Sequence, residues 1–235
     1  MSLPIPRSKQ QLSPDFFARE TALVARELIG QAFLHRTVAA DGKHRWVGGW
    51  IVETEAYLPR RDLASHSARG KTPSNQSMFR EPGVLYVYPI HAKYCVNIST
   101  ESLGCGAAVL IRALEPAWGI STMQQHRSQT DDRRLTSGPG MICQALNIDR
   151  QSDGNSPHRD PTWRLTSTTW ASSPSLRRRI RATPRIGIRQ SMARRLRFIL
   201  SGNRYVSGPA ADHDRPRQDS IIHEWAIHER TDPNQ

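Results

Sequence analysis

Read for its hydrophobic and polar positions, the chain is a series of short strand-like runs and helical stretches separated by polar segments. Ser13-Pro14-Asp15 has the order of a helix start: a capping hydroxyl, a proline in the first turn and an acid near the positive helix end. Phe17, Val24 and Leu28 follow at near-helical spacing, and Gly30 is placed to end the helix. Two strand-like segments come next, Ala32–Arg36 and Arg45–Glu55, separated by the hairpin-type dipeptide Asp41-Gly42. Strand character returns in VLYVYPI (Val84–Ile90), YCVNIS (Tyr94–Ser99) and AAVLIRAL (Ala107–Leu114), the last apolar apart from one arginine. A helix is expected to follow Pro116 and run through Met123, and SGPGMICQAL (Ser137–Leu146) reads as a glycine-proline turn leading into another helix.

The polar segments are as informative. Residues 59–82 form a long loop with little periodicity, the kind that is functional or disordered in a compact domain. From Asp149 to Thr183 the composition shifts to serine, threonine, proline and arginine, which predicts a variable, poorly ordered surface insertion with at most one strand near Trp163. Structure is expected to resume at PRIGI (Pro184–Ile188) and LRFIL (Leu196–Leu200). The pattern predicts one compact domain over residues 13–208, of mixed α/β (α+β) class, between flexible termini at 1–12 and 209–235.

Composition sharpens this. The chain has 235 residues, enough for one sizeable core. No run approaches a membrane span, and MSLPIPRSKQ lacks the apolar core of a secretory signal, so an intracellular, cytoplasmic protein is expected, nucleoid-associated if bacterial. Cys95, Cys105 and Cys143 are too scattered for a disulfide framework or a zinc site. Only four of the 33 basic residues are lysines, and the formal charge is +12. Arginine matches phosphate bidentately, and clusters at Arg177–Arg179 and Arg194–Arg197 suggest a polyanion partner. An arginine-rich proteome would give the same composition.

The candidate chemistry centres on IVETEAYL, Ile51–Leu58. Side chains alternate along a strand, so Ile51, Glu53 and Glu55 share a face. A carboxylate on a buried face costs several kcal/mol unless it is paired or bonded. Glu53 is expected to be satisfied structurally, by an arginine such as Arg112, itself anomalous within VLIRALEP. Glu55, beside Tyr57 and the polar loop, is better placed as a general base for water. Tyr86 and Tyr88 project from one face of their strand, either as core or as a stacking surface for a base. Asn97 offers donors and acceptors, and His66 stands in the long loop. HEWAIH (His223–His228) resembles a zinc-protease helix, but its histidines are five apart and leave a common face.

IVETEAYL, the histidine of DLASHS, TPSNQSMF, PGVLYVYPI, the Cys-x-Asn of YCVNIS, VLIRALEP and SGPGMICQAL occur in an ordered series that resembles the alkyladenine (3-methyladenine, or methylpurine) DNA glycosylases, from about Ser13 to Ser207. The resemblance implies a curved antiparallel sheet with surrounding helices, no cofactor and no metal. It implies a monofunctional, monomeric enzyme that flips alkylated or deaminated purines from duplex DNA and hydrolyses the N-glycosidic bond. Glu55 matches the acid that activates water, and Arg112 with the carbonyl of Ile186 matches the groups that hold it. Tyr57, His66 and Tyr88 match the walls around the extruded base, and Asn97 the edge that screens guanine-type substituents. Tyr86, Lys93, Arg69 and Lys71 are expected to contact DNA.

Two departures stand out. Where the family carries Tyr-Gly-Met, this chain has His91-Ala92-Lys93 in a shorter hairpin, so His91 or Ile90 takes the place of the wedging tyrosine. The lysine after Gly-Pro-Gly is Met141. These departures motivate an alternative, a non-catalytic damaged-DNA-binding module on the same fold.

Overall fold

A computed structural model describes residues 3–208. The tail beyond Pro209, expected to be mobile, and the HEWAIH stretch lie outside the described residues. Eight antiparallel strands form one open sheet: β1 (Ala32–Val38), β2 (His44–Tyr57), β3 (Leu85–Ile90), β4 (Lys93–Thr100), β5 (Ala107–Trp118), β6 (Trp163–Thr166), β7 (Ile180–Thr183) and β8 (Arg197–Leu200). Five helices surround it: α1 (Pro14–Phe17), α2 (Thr21–Glu27), α3 (Ile120–Arg127), α4 (Pro139–Ala145) and α5 (Pro174–Arg179). The α+β class expected from the sequence is the class observed. Among the described residues no helix is long and apolar enough to cross a membrane.

The main sheet path runs β3-β4-β5-β2-β1-β6. β2 is long enough to take two partners along one edge. Its first half pairs with β1 (Ala32 opposite Trp50), and its second half with β8 (Glu55 opposite Arg197), which carries β7. The other edge of β2 runs along β5. The sheet therefore forks, and Glu53 and Glu55 sit on the second branch, between β5 and β8. Glycine lets the strands crowd at the fork. A Cβ on Gly49 would lie 1.9 Å from the Glu115 carbonyl oxygen, and one on Gly48 2.2 Å from that of Phe33.

The structure corrects four sequence expectations. The helix read from Ser13 to Gly30 is two helices, broken where Glu20 is extended and the Thr21 amide turns to the Glu101 carboxylate at 3.3 Å. The helix expected after Pro116 and through Met123 is α3, but it starts only at Ile120: β5 continues through Pro116 to Trp118, because Pro116 lies opposite Gly49 at a register irregularity, where a missing N–H is tolerated. The stretch 149–183 is no disordered insertion: it supplies β6, α5 and β7 and buries Trp163, Trp170 and Leu176. Residues 3–12 are not a loose lead-in either. The Leu12 amide donates to the Leu165 carbonyl at 2.9 Å, Trp118 holds the Pro4 carbonyl at 3.0 Å, and Leu12 is buried.

The polar composition of 149–155 has a physical reason, for this segment straps the outer edge of β3. The Leu85 amide donates to the Asn155 carbonyl at 2.8 Å and the Val87 amide to Asp153 Oδ1 at 2.8 Å, while Arg150 reaches the Val87 carbonyl at 2.7 Å. An edge strand presents a row of unpaired groups, and here side chains and backbone of the strap satisfy them. Asp153 also accepts the Ser77 hydroxyl at 2.9 Å. Asp153→Ala strands both donors, and a loss of about 1–3 kcal/mol in urea unfolding is expected. An unchanged unfolding midpoint would remove the strap from the account of stability.

Candidate active site

The second half of β2 carries Glu53, Glu55 and Tyr57 at alternate positions. Glu53 is fully buried and saturated. It accepts Arg112 Nε at 3.1 Å, Arg197 Nε at 2.6 Å, the Ser207 amide at 2.7 Å and the Ser207 hydroxyl at 3.0 Å. Arg197, on β8, is held in turn by the Ser207 carbonyl at 2.9 Å and Thr183 Oγ1 at 3.3 Å. Arg112 projects from β5 and bridges the two glutamates, reaching Glu55 Oε2 at 3.3 Å. Burial alone would lower the pKa of Arg112, but Glu55 and Glu53 outweigh it and keep the guanidinium charged.

Glu55 is also buried, and its three donors differ in kind. Its Oε2 accepts Arg112 and the Tyr57 hydroxyl at 2.8 Å, and its Oε1 accepts the Ile186 amide at 2.8 Å. Burial and the neighbouring Glu55 charge push the Tyr57 phenol well above its ordinary pKa, so the hydroxyl stays a donor. Ile186 thus touches Glu55 through its N–H. Its carbonyl was the group singled out from the sequence.

A narrow aromatic slot lies beside this cluster, lined by Tyr57, His66, Met78, Tyr86, Tyr88 and Asn97. Tyr86 and Tyr88 stack at 5.4 Å between ring centroids, as alternation on β3 requires, and His66 stands edge-on to Tyr88 at 4.5 Å. His66 Nδ1 is 2.7 Å from the Tyr86 hydroxyl, which fixes the imidazole at the slot mouth. Partial burial, with the nearby Arg69 charge, lowers the His66 pKa and favours the neutral ring. The Asn97 side-chain amide donates to the Tyr86 carbonyl at 3.0 Å, locking β4 to β3 at the slot floor.

The sequence candidates Glu55, Arg112, Ile186, Tyr57, His66, Tyr88 and Asn97 therefore converge on one place. Tyr86, expected as a DNA contact, is 3% exposed and commits its hydroxyl to His66, so it is a slot wall. Ile90 and His91 stand apart on the β3–β4 hairpin tip. His91 and Ala92 form its two-residue turn with φ of 44° and 59°, the conformation of a type I′ hairpin, and Ile90 is 42% exposed. Lys93, Arg69 and Lys71 are exposed. Met78, Asp62 and Arg185 escaped the sequence reading, and Met78 carries no local signal. Arg197, read as part of a polyanion-binding cluster, is instead buried and paired with Glu53.

The described residues thus form an open antiparallel sheet that carries a buried carboxylate–arginine cluster, joined through Tyr57 to an aromatic slot. The sequence signature described as Methylpurine-DNA glycosylase (MPG) matches residues 15–204, and the chain belongs to that family. It is 56% identical over 219 residues to a Rhodopirellula baltica protein provisionally named 3-methyladenine DNA glycosylase, covering 91% of this chain and 90% of the relative. It is 40% identical over 226 residues to the mouse DNA-3-methyladenine glycosylase, covering 88% of this chain but 65% of that longer protein.

Glu53 anchors this cluster without facing the slot lining. Glu53→Ala removes the carboxylate that Arg197 is paired with and leaves Arg112 with Glu55 alone, and a destabilisation of about 3–5 kcal/mol is expected. Chemical denaturation of the purified variant checks it; a loss below 1 kcal/mol would contradict the pairing.

Proposed function

We propose that this protein is a monofunctional DNA-3-methyladenine glycosylase of base excision repair, acting on alkylated and deaminated purines in duplex DNA. The observation that carries the reading is the meeting of Glu55, Arg112 and the aromatic slot at the end of one strand. The target bond is inaccessible within a stacked helix, so the base must be extruded, at a cost of a few kcal/mol that is smallest for badly paired lesions. Tyr57, Tyr88 and His66 then enclose it. An alkylated, electron-poor purine gains about 0.5–2 kcal/mol from aromatic faces through cation–π attraction.

Hydrolysis of the C1′–N bond builds positive charge on the sugar, and a nearby carboxylate stabilises it, as in sugar hydrolases. Glu55 Oε1 accepts one hydrogen bond, which leaves a lone pair for a proton of the attacking water. Arg112 orients that carboxylate, and the Ile186 carbonyl is the second acceptor for the water. The water's oxygen bonds to C1′, Glu55 takes its proton, and the purine leaves with the bonding electron pair. All these groups come from one chain, which supports action as a monomer. The exposed Ile90-His91 tip ends the strand that carries Tyr86 and Tyr88 and is suited to fill the gap left by the extruded nucleotide.

Single-turnover release of 3-methyladenine or hypoxanthine from a duplex tests the reading. Glu55→Gln should retain lesion binding and excise about 10²–10⁴-fold more slowly, the usual weight of a general base. Undiminished excision would exclude Glu55 as the base. Steep, salt-sensitive binding by the wild type without base release would instead establish the binding-module alternative.

The hairpin tip generates a separate expectation. Ile90→Ala combined with His91→Ala should slow excision from a fully paired duplex more than from a mismatched one, where extrusion is cheap. Equal slowing on both substrates would count against a wedge.

A further inference from the structure

Behind Tyr57, on the side that does not line the slot, lies a second ion pair that the proposed chemistry does not use. Arg185 and Asp62 are both sealed from solvent at their side chains. The guanidinium forks onto the carboxylate, Nη1 to Oδ2 at 2.7 Å and Nη2 to Oδ1 at 2.6 Å. Three parts of the site are tied to this pair. First, Nη1 also donates at 2.9 Å to the carbonyl of Ala56, the β2 residue between Glu55 and Tyr57, and the guanidinium carbon lies 4.7 Å from the Tyr57 ring centroid. Second, Arg185 is covalently next to Ile186, whose amide holds Glu55 Oε1. Third, Asp62 accepts the amides of Leu58 at 3.0 Å and Ala64 at 3.3 Å, shaping the loop that delivers His66.

We propose that the Arg185–Asp62 pair is a positioning element for base excision, setting the Ile186 amide against Glu55, backing Tyr57 and fixing the approach of His66. This rests on the glycosylase reading of the same site. A buried ion pair is weak evidence of stability on its own, because desolvation of both charges offsets much of their attraction. What the fork supplies is direction. A planar guanidinium makes two parallel bonds, stacks on a ring and keeps a fixed exit for its backbone, and an ammonium can do only one of these at a time. The carboxylate is suited to the part: burial by itself would raise its pKa, but the Arg185 bonds and the Leu58 and Ala64 amides hold it below the ordinary value. The two loops touch again where the Leu63 amide meets the Ser191 hydroxyl at 3.2 Å, so the pair has a peripheral brace.

The test is single-turnover excision of hypoxanthine from duplex DNA with enzyme in excess. Arg185→Lys keeps the charge but loses the fork, and Asp62→Asn keeps the shape but loses the charge. Each is measured alone and in the Glu55→Gln background. The maximal rate is expected to fall about tenfold to a hundredfold in either variant, the scale of a small misplacement of reacting groups. The half-saturating enzyme concentration should stay within about threefold. In the Glu55→Gln background the same substitutions should change the residual rate by less than about threefold, because groups acting through one residue are not additive. Equal losses in both backgrounds would make the pair merely structural and overturn the proposal. So would an unchanged maximal rate, or recovery of both variants only as unfolded protein. A wild type that binds lesion DNA and releases no base would defeat the glycosylase reading itself, an outcome separable from all of these.

Discussion

Arg112 lies between two carboxylates on one strand face, and the rest of the site is arranged around that constraint. Glu53 and Glu55 lie two residues apart on β2 with nothing to keep them separate, and two buried anions at that spacing destabilise each other by several kcal/mol without a cation between them. Arg112 answers the repulsion with one guanidinium shared by both. Glu53 draws on a second cation, Arg197, and on both polar groups of Ser207. Because Glu53 is saturated in this way, Arg112 is fixed from behind, and its Nη1 can be directed at Glu55. The arrangement of Glu55 thus depends on Glu53.

The forked sheet makes that division possible. If β1 had paired with the whole length of β2, no arginine from β8 could have reached Glu53. β2 changes partner instead, and the strand that replaces β1 brings Arg197 opposite Glu55 in register, close to Glu53. On the far side, β3 presents Tyr86 and Tyr88 and β4 presents Asn97, and β3 is an edge strand held in place by the polar strap at 149–155. The carboxylate–arginine cluster and the slot therefore belong to different parts of one sheet and meet at the end of β2.

The sequence made one half of this legible and hid the other for a physical reason. Alternation on strands is local, so the shared face of Glu53 and Glu55 and the stacking of Tyr86 on Tyr88 could be read directly. The arginine within VLIRALEP announced a buried partner because an apolar strand offers it nothing else. The strap at 149–155 and the Arg185–Asp62 pair were illegible because their partners are distant in the chain. Asp62 and Arg185 are 123 residues apart, and each alone looks like a solvated loop residue. The same holds for Pro116, which signals a helix start until the opposite Gly49 is known. Polar composition was misread as disorder where it was edge-strand pairing.

The burial of arginine also changes what the charge of the chain means. Arg112, Arg185 and Arg197 are matched inside the molecule by Glu55, Asp62 and Glu53, so these six residues add nothing to the field outside. The formal excess of +12 is carried by the remaining residues, and the sequence beyond residue 208 holds more acids than bases. The body of the protein is thus more basic than the whole chain. A polyanion attracted to that surface meets no net charge at the slot, whose lining is aromatic, thioether, imidazole and amide. On the proposed function, phosphates would be held by the exterior through a long-range and salt-screened force, while a base in the slot would be judged by contact alone. Binding and discrimination would then be separated in space, and the buried carboxylate would not compete with DNA for the surface arginines.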